Sequence, residues 1–195
     1  MSSRTAIIER KTAETTVTLS LTLEGSGKSQ VETGIGFLNH MLITLARHAR
    51  FDLTLAVTGD LHVDDHHTAE DCALALGQAI DQALGERIGV MRFGYAYAPL
   101  DEALARAVID LSGRSCPVID LGLRRESIGG LSCENVPHFF RSLAVAARMA
   151  LHVDMIRGEN DHHRIEAAFK AVALALRQAT AVDGSDRVPS TKEVL

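Results

Sequence analysis

Hydrophobic and polar positions alternate along residues 15–24, and this period of two predicts a half-buried β-strand. The apolar members of the pattern are Val17, Leu19, Leu21 and Leu23. The turn-forming residues GSGK follow directly, so we expect a hairpin at the start of the chain. From residue 37 to residue 50 the apolar positions change to the spacing of a helix: Phe37, Met41, Leu42, Leu45 and Ala49.

Two groups of histidines stand out against this background. His40, Thr44 and His48 recur at intervals of four and form a polar stripe on the first predicted helix. A strand is then predicted from the alternation of Leu53, Leu55 and Val57. The next helical pattern begins close to the pair His66 and His67 and continues through Ala69, Cys72, Ala73, Leu76, Ile80 and Leu84. The paired histidines are therefore expected at a helix start.

The second part of the chain repeats this order of elements. A helical stretch is predicted over residues 138–150, and a strand over residues 151–156. A last helix follows from the spacing of Ile165, Phe169, Val172 and Leu176. The segment DEALARAVIDL, residues 101–111, fits a helix or a strand equally well.

An internal duplication accounts for this repetition. The motif DDHHTAED at residues 64–71 aligns with NDHHRIEA at residues 160–167, and a further histidine, His40 or His138, lies at a similar distance before each motif. We therefore interpret residues 1–195 as a single domain of class α+β. It would consist of two duplicated halves, about 1–92 and 93–195, each a small β-sheet covered by two helices.

The repeated motif has the spacing of a metal site. Residues four apart share one face of a helix, so His66 with Glu70, and likewise His162 with Glu166, can point at the same ion. The second histidine of each pair lies beside them. Eight candidate ligands result, three His and one Glu for each of two metals: His40, His66, His67, Glu70, His138, His162, His163 and Glu166.

The ligand types narrow the choice of metal to Mn, Fe or Zn, because Mg and Ca prefer shells made only of oxygen. A single His-His pair could equally mark a helix start or a polar surface, but its repetition with matching upstream histidines favours metal binding. His48, His62 and His152 lie outside the set and are expected to have structural or supporting roles.

Composition excludes several other classes. The chain has 20 basic and 25 acidic residues and a net charge of −5, so nucleic acid is not an expected partner. Cys72, Cys116 and Cys133 show no C-x-x-C spacing, so we expect buried thiols in a reducing compartment. No export signal and no long apolar run occur, so no membrane association is expected and the predicted location is the cytoplasm.

Six segments together resemble the imidazoleglycerol-phosphate dehydratase family over nearly the whole chain. They are ETGIGFLNHML, GDLHVDDHHTAEDCALALG, YAPLDEALARAVIDLSGR, HFFRSLA, GENDHHRIEAAFKA and PSTKEVL. The resemblance implies dehydration of D-erythro-imidazole glycerol phosphate to imidazole acetol phosphate in L-histidine biosynthesis, with two Mn²⁺ per active site. It also implies a tandem repeat of the ribosomal protein S5 domain 2-like fold, and self-association of trimers into a 24-mer with sites between subunits.

The resemblance also implies roles for particular residues. The family's metal-binding positions coincide with the eight candidate ligands, and its acid/base glutamate falls on Glu14. Its substrate-binding positions fall on Glu14, Arg92, Arg114, Lys170, Ser190, Thr191 and Lys192. Two departures from the family pattern are Pro137, where an acidic residue is usual, and the C-terminal STKEVL, in which Glu193 adds negative charge beside Lys192.

The chemistry of this substrate explains why such a site would be needed. The proton to be removed sits beside an imidazole ring and no carbonyl makes it acidic, so the ring itself must accept the electrons. Two metals flanking the ring can hold it as a dimanganese-bound imidazolate and act as Lewis acids. The ligand set also fits two other hypotheses: a binuclear metallohydrolase, and a metal-storage or metal-sensing protein without catalytic activity.

Overall fold

The computed structural model, which describes residues 3–192, contains two four-stranded sheets, one two-stranded sheet and four helices. The first half contains β1 (Thr5–Lys11), β2 (Thr15–Thr22), β3 (Ser29–Glu32), α1 (Gly36–Ala49), β4 (Asp52–Gly59) and α2 (His66–Leu84). The second half contains β5 (Phe93–Leu100), β6 (Ala103–Asp110), β7 (Cys116–Asp120), β8 (Ser127–Ile128), β9 (Leu131–Ser132), α3 (Asn135–Ala146), β10 (Ala150–Arg157) and α4 (Asp161–Thr180).

The two large sheets have the same topology, which confirms the α+β class and the duplication. The first sheet has the order β1-β2-β4-β3 and the second β5-β6-β10-β7. In each sheet the neighbouring strands are antiparallel except for the last edge strand, which runs parallel to its neighbour. The expected hairpin across GSGK is wrong, because β4 lies between β2 and β3. The hairpin that opens the chain joins β1 to β2 instead.

The four helices pack between the two sheets. Helix α2 lies on β1 and β2, α4 lies on β5 and β6, and the halves meet where α1 packs on α4 and α3 packs on α2. Phe139, Phe140 and Phe169 form the aromatic centre of this layer, with ring centroids 4.6 to 5.8 Å apart. Fully burying one such side chain stabilises the fold by about 1.5–3 kcal/mol.

A glycine brings α2 and α3 close together. A Cβ added at Gly77 would lie 2.6 Å from Ala146 Cβ and 2.7 Å from the Leu143 carbonyl oxygen. Any side chain at residue 77 would therefore push the two helices apart. Because α2 and α3 each carry candidate ligands, this contact also sets the distance between those side chains.

The structure resolves the ambiguous segment and corrects the end of one predicted helix. The ambiguous segment 101–111 is mainly the strand β6, whose inward positions Ala103, Ala105 and Ala107 are buried. The helix predicted over 138–150 ends at Ala146, so the predicted end is wrong. Arg148 has a φ of 51°, a left-handed conformation that turns the chain into β10.

The remaining expectations concern the cysteines and the membrane. Cys72 and Cys133 are buried as expected, but the expectation is wrong for Cys116, which is exposed at the start of the edge strand β7. Burial raises the pKa of the Cys72 thiol. Among the helices of residues 3–192, none is long and apolar enough to cross a membrane.

Candidate metal centre

Both His-His pairs lie at helix starts, as the sequence predicts. The backbone N–H of His66 donates to Asp64 Oδ1 at 2.8 Å, and that of His162 donates to Asn160 Oδ1 at 2.9 Å. Such side chains satisfy N–H groups that a helix leaves without partners in its first turn. The two pairs therefore have the same local setting in both halves.

The first ligand group, which we call the His40 cluster, consists of His40, His162 and Glu166. Its ligand atoms all lie within 4.8 Å of one another. Glu166 Oε2 is 3.1 Å from His40 Nε2 and 3.3 Å from His162 Nε2. The other carboxylate oxygen of Glu166 lies 2.8 Å from Lys170 Nζ. Partial burial raises the pKa of Glu166, but hydrogen bonds from Lys170 and His40 outweigh this and keep the pKa below its ordinary value.

The second group, the His66 cluster, consists of His66, Glu70 and His138 and is equally compact. His138 Nε2 lies 3.0 Å from Glu70 Oε1. The rings of His66 and His138 stack with centroids 4.8 Å apart. His66 Nδ1 lies 2.9 Å from Asn135 Oδ1, which can accept the Nδ1 proton and leave the Nε2 lone pair for an ion.

Each cluster combines ligands from both halves of the chain. In the His40 cluster one histidine comes from α1, and the other histidine and the glutamate come from α4. In the His66 cluster α3 supplies one histidine, and α2 supplies the other two ligands. Two imidazoles and one carboxylate within contact distance of a common point suit Mn, Fe or Zn. Each cluster therefore offers three of the ligands that such an ion would need.

His67 and His163 lie outside both clusters within the described residues, although they neighbour the ligands in sequence. His67 Nδ1 is 3.0 Å from Asp60 Oδ2, and His163 Nδ1 is 2.7 Å from Glu102 Oε2. The hydrogen bond from each ring to its carboxylate is the main reason that the pKa of His67 and that of His163 are raised. A carboxylate that accepts the Nδ1 proton leaves the Nε2 lone pair of each histidine available to an ion.

Glu102 is itself held firmly. Its Oε1 accepts the backbone N–H groups of Asn160 at 2.9 Å and Glu159 at 3.1 Å. The Asn160 hydrogen bond, followed by that of His163, lowers the pKa of Glu102 to about 2. The carboxylate therefore connects the β5–β6 turn to the start of α4 while it orients His163.

Glu14 lies in the turn between β1 and β2, next to His67. Its Oε1 is 3.6 Å from His67 Nε2, and 52% of its side chain is exposed. The backbone N–H of Glu14 donates to Thr12 Oγ1 at 3.1 Å, which fixes the turn. A carboxylate is thus placed beside the candidate metal-binding atom of His67 without belonging to either cluster.

The predicted phosphate-binding residues lie mainly at another edge of the molecule. Arg92 binds both carboxylate oxygens of Asp110, at 2.7 and 3.1 Å, and donates to the Pro189 carbonyl at 2.8 Å. The Asp110 hydrogen bond raises the pKa of Arg92. Arg92 thereby holds the segment carrying Ser190, Thr191 and Lys192, while Glu193 lies outside the described residues.

Arg114 and Lys170 differ in their surroundings. Arg114 is exposed in the loop after β6 and donates to the Ser112 carbonyl at 3.4 Å. Lys170 is instead paired with Glu166. The backbone N–H of Arg92 donates to the Ala179 carbonyl, about 20 Å along α4 from Glu166 at the helical rise. Within a single chain, the Arg92 edge therefore lies far from the His40 cluster.

The uncounted histidines do not join the clusters. His152 is exposed on the outer face of β10, and His62 is exposed before α2. Burial, then the nearby charge of Lys170, lowers the pKa of His48. Sequence reasoning missed Asp60, Glu102 and Asn135, the partners of the ligand histidines. Their residue types do not distinguish them from other polar residues near the motifs.

Comparison with known proteins places these features in a family. Residues 33–176 match the family model described as imidazoleglycerol-phosphate dehydratase. A relative of that name from Saccharomyces cerevisiae is 50% identical, with 100% of both chains covered. Another from Phytophthora nicotianae is 58% identical over 98% of this chain, which spans only 42% of that longer protein.

Solved structures agree. The imidazoleglycerol-phosphate dehydratase of Staphylococcus aureus superposes with a TM-score of 0.83 at 36% identity, covering 91% of this chain and 99% of that one. The Pyrococcus furiosus enzyme superposes with a TM-score of 0.82 at 34% identity, covering 96% and 100%. The chain therefore belongs to the imidazoleglycerol-phosphate dehydratase family of hydro-lyases.

Proposed function

We propose that this protein dehydrates D-erythro-imidazole glycerol phosphate to imidazole acetol phosphate in L-histidine biosynthesis, with two Mn²⁺ per active site. The observation that carries the proposal is the pair of matched clusters, each with two histidines and a glutamate within 4.8 Å. Family membership favours a dehydratase over a binuclear hydrolase or a storage protein. The expected location is the cytoplasm.

The metal-binding side chains would be those of the His40 and His66 clusters, completed by His67 and His163. When bound, such ions would supply Lewis-acid chemistry that lets the imidazole ring of the substrate accept electrons during loss of water. Imidazole nitrogen and carboxylate oxygen suit manganese as well as iron and zinc. Manganese is our choice because the family resemblance implies it.

The position of His67 and His163 supports the proposal that the site is shared between copies of this chain. Their Nε2 atoms face Glu14 and Asp101, at 3.6 and 3.9 Å, rather than either cluster. A neighbouring subunit could bring each of them to a cluster that has three ligands, and symmetric self-association would repeat this contact. We therefore expect trimers that assemble into a 24-mer, as the resemblance implies.

The same arrangement assigns roles to the remaining residues. Arg92, Arg114 and Lys192, with Ser190 and Thr191, would bind the substrate phosphate and so hold the reacting end of the substrate in place. Lys170, which is paired with Glu166 of the His40 cluster, would contribute to the same binding. Because the Arg92 edge is far from the His40 cluster of its own chain, it would serve a site completed by a neighbour. Glu14, free of metal, would transfer a proton at the reacting carbon or the leaving hydroxyl.

The direct test is dehydration of imidazole glycerol phosphate by purified protein, with manganese present and after its complete removal. We expect product only with metal. Hydrolysis of phosphoesters with the expected substrate unchanged would instead favour the binuclear hydrolase, and metal binding without any turnover would favour the storage protein.

Metal and assembly should be coupled, because binding free energy becomes assembly free energy when ligands come from separate helices and subunits. Chelation is therefore expected to shrink the particle or lower its thermal midpoint. Sedimentation that gives the same particle, with the same midpoint, after complete metal removal would count against a shared site.

A further inference from the structure

The duplication gives Glu14 a counterpart in the second half. Glu14 lies in the turn that joins the first two strands of its sheet, β1 and β2. Asp101 lies in the turn that joins β5 and β6, the first two strands of the other sheet. The two acidic residues therefore lie in equivalent turns of the two halves.

Their contacts correspond as well. In the first half Asp60 binds His67 Nδ1, and Glu14 lies 3.6 Å from His67 Nε2. In the second half Glu102 binds His163 Nδ1, and Asp101 Oδ2 lies 3.9 Å from Nε2 of that histidine. Each outlying histidine thus has one carboxylate that orients it and a second that lies beside its metal-binding atom.

Asp101 is the first of the two turn residues between Leu100 and Ala103, a position at which tight hairpin turns need a positive φ. Its φ of 47° falls in the left-handed region, where glycine would be free of strain. Its side chain is 75% exposed, and within residues 3–192 its carboxylate accepts no hydrogen bond. The carboxylate, which lies 3.9 Å from His163 Nε2 on this chain, is therefore available to accept a hydrogen bond from a ligand.

We propose that Asp101 is a substrate-contacting residue whose carboxylate accepts a hydrogen bond from a hydroxyl of the substrate chain. An ionised carboxylate only accepts hydrogen bonds. It would repel the phosphate, and the ring nitrogens would face the metals, so the hydroxyls are the donors that remain. This inference rests on the proposed function, because it places Asp101 in the site completed by His163.

The test compares Asp101→Gly and Asp101→Asn with Glu9→Gln, a control that removes an exposed carboxylate on β1. Glycine accepts the positive φ, so Asp101→Gly should fold with an unchanged or higher thermal midpoint. Loss of the hydrogen bond should lower kcat/KM by about tenfold to 100-fold in Asp101→Gly, and by less in Asp101→Asn, whose amide oxygen can still accept. Manganese content should stay at the wild-type value.

A second measurement separates substrate contact from support of the metal. Imidazole alone carries no hydroxyl, so manganese-loaded Asp101→Gly should bind imidazole as tightly as wild type does. Activity of Asp101→Gly equal to that of Glu9→Gln would overturn the inference, and so would a loss of manganese in proportion to activity. If wild type and Glu9→Gln themselves fail to dehydrate the substrate, the proposed function fails and this inference with it.

Discussion

Exchanging Glu102 for Gln should weaken metal binding through a change of tautomer in His163. One oxygen of Glu102 accepts two backbone N–H groups, and the other accepts the His163 Nδ1 proton at 2.7 Å. Glutamine has one oxygen, which the two N–H groups require, so its NH₂ group would face Nδ1. A neutral imidazole has one donor and one acceptor nitrogen, so the proton would move to Nε2 and block the metal-binding lone pair.

The size of the effect follows from partners of this kind. Loss of a carboxylate that orients a metal-binding histidine typically lowers metal affinity about tenfold to 100-fold. We expect a loss within this range for the ion that His163 completes, with the other ion bound as before. The manganese binding isotherm of Glu102→Gln should therefore split into a normal and a weakened class of sites.

The matched control is Glu159→Gln, which removes the same charge from a neighbouring exposed residue whose backbone, not its side chain, contacts Glu102. Both variants would be stripped of metal and titrated with manganese under the same conditions. If Glu102→Gln binds manganese with the affinity and stoichiometry of Glu159→Gln, the carboxylate does not set the tautomer and the reasoning is refuted.

Three further outcomes are expected. Glu14→Gln should lower turnover by about 100-fold to 10,000-fold with full manganese content, and near-normal turnover would remove Glu14 as the acid or base. Arg92→Ala should raise KM and weaken inorganic phosphate binding without rescue by manganese; phosphate binding as in wild type would contradict its role. The backbone N–H groups of Lys28 and Ser26 donate hydrogen bonds to Asp52 and lower the pKa of its carboxyl group. These hydrogen bonds therefore stabilise the fold fully above the ordinary carboxyl pKa, and their contribution is lost as pH falls through the lowered value. Asp52→Asn should therefore lower the free energy of unfolding by about 1 kcal/mol at neutral pH. Urea unfolding at a series of acidic pH values should show a smaller loss of stability with falling pH in the variant, and a loss equal to that of wild type would show that Asp52 does not contribute to it.

Local spacing made the ligand motifs predictable. A helix places residues four apart on one face, so the pairing of His66 with Glu70 follows from sequence alone and is present in the fold. Periodicity carries no information about which upstream histidine joins which motif. That choice depends on α1 packing against α4 and α3 against α2, which are contacts between halves.

Strands with mixed environments were harder to predict. Strand β1 at the sheet edge alternates incompletely between buried and exposed positions, and Ile7 is 70% exposed, so no clear period marks it. The small residues Ala103, Ala105 and Ala107 fit a helix as readily as a strand. Their role as the face on which α4 packs emerges only from tertiary contact.

Each of the two clusters takes ligands from both duplicated halves, and this constrains how the halves can evolve. The contact between His40 and Glu166 spans 126 residues of sequence, and that between His138 and Glu70 spans 68. Neither half supplies all three ligands of a cluster by itself. A mutation that removes a histidine from one copy disables the motif of the other, so the two repeats cannot diverge independently and are inherited as one selectable unit.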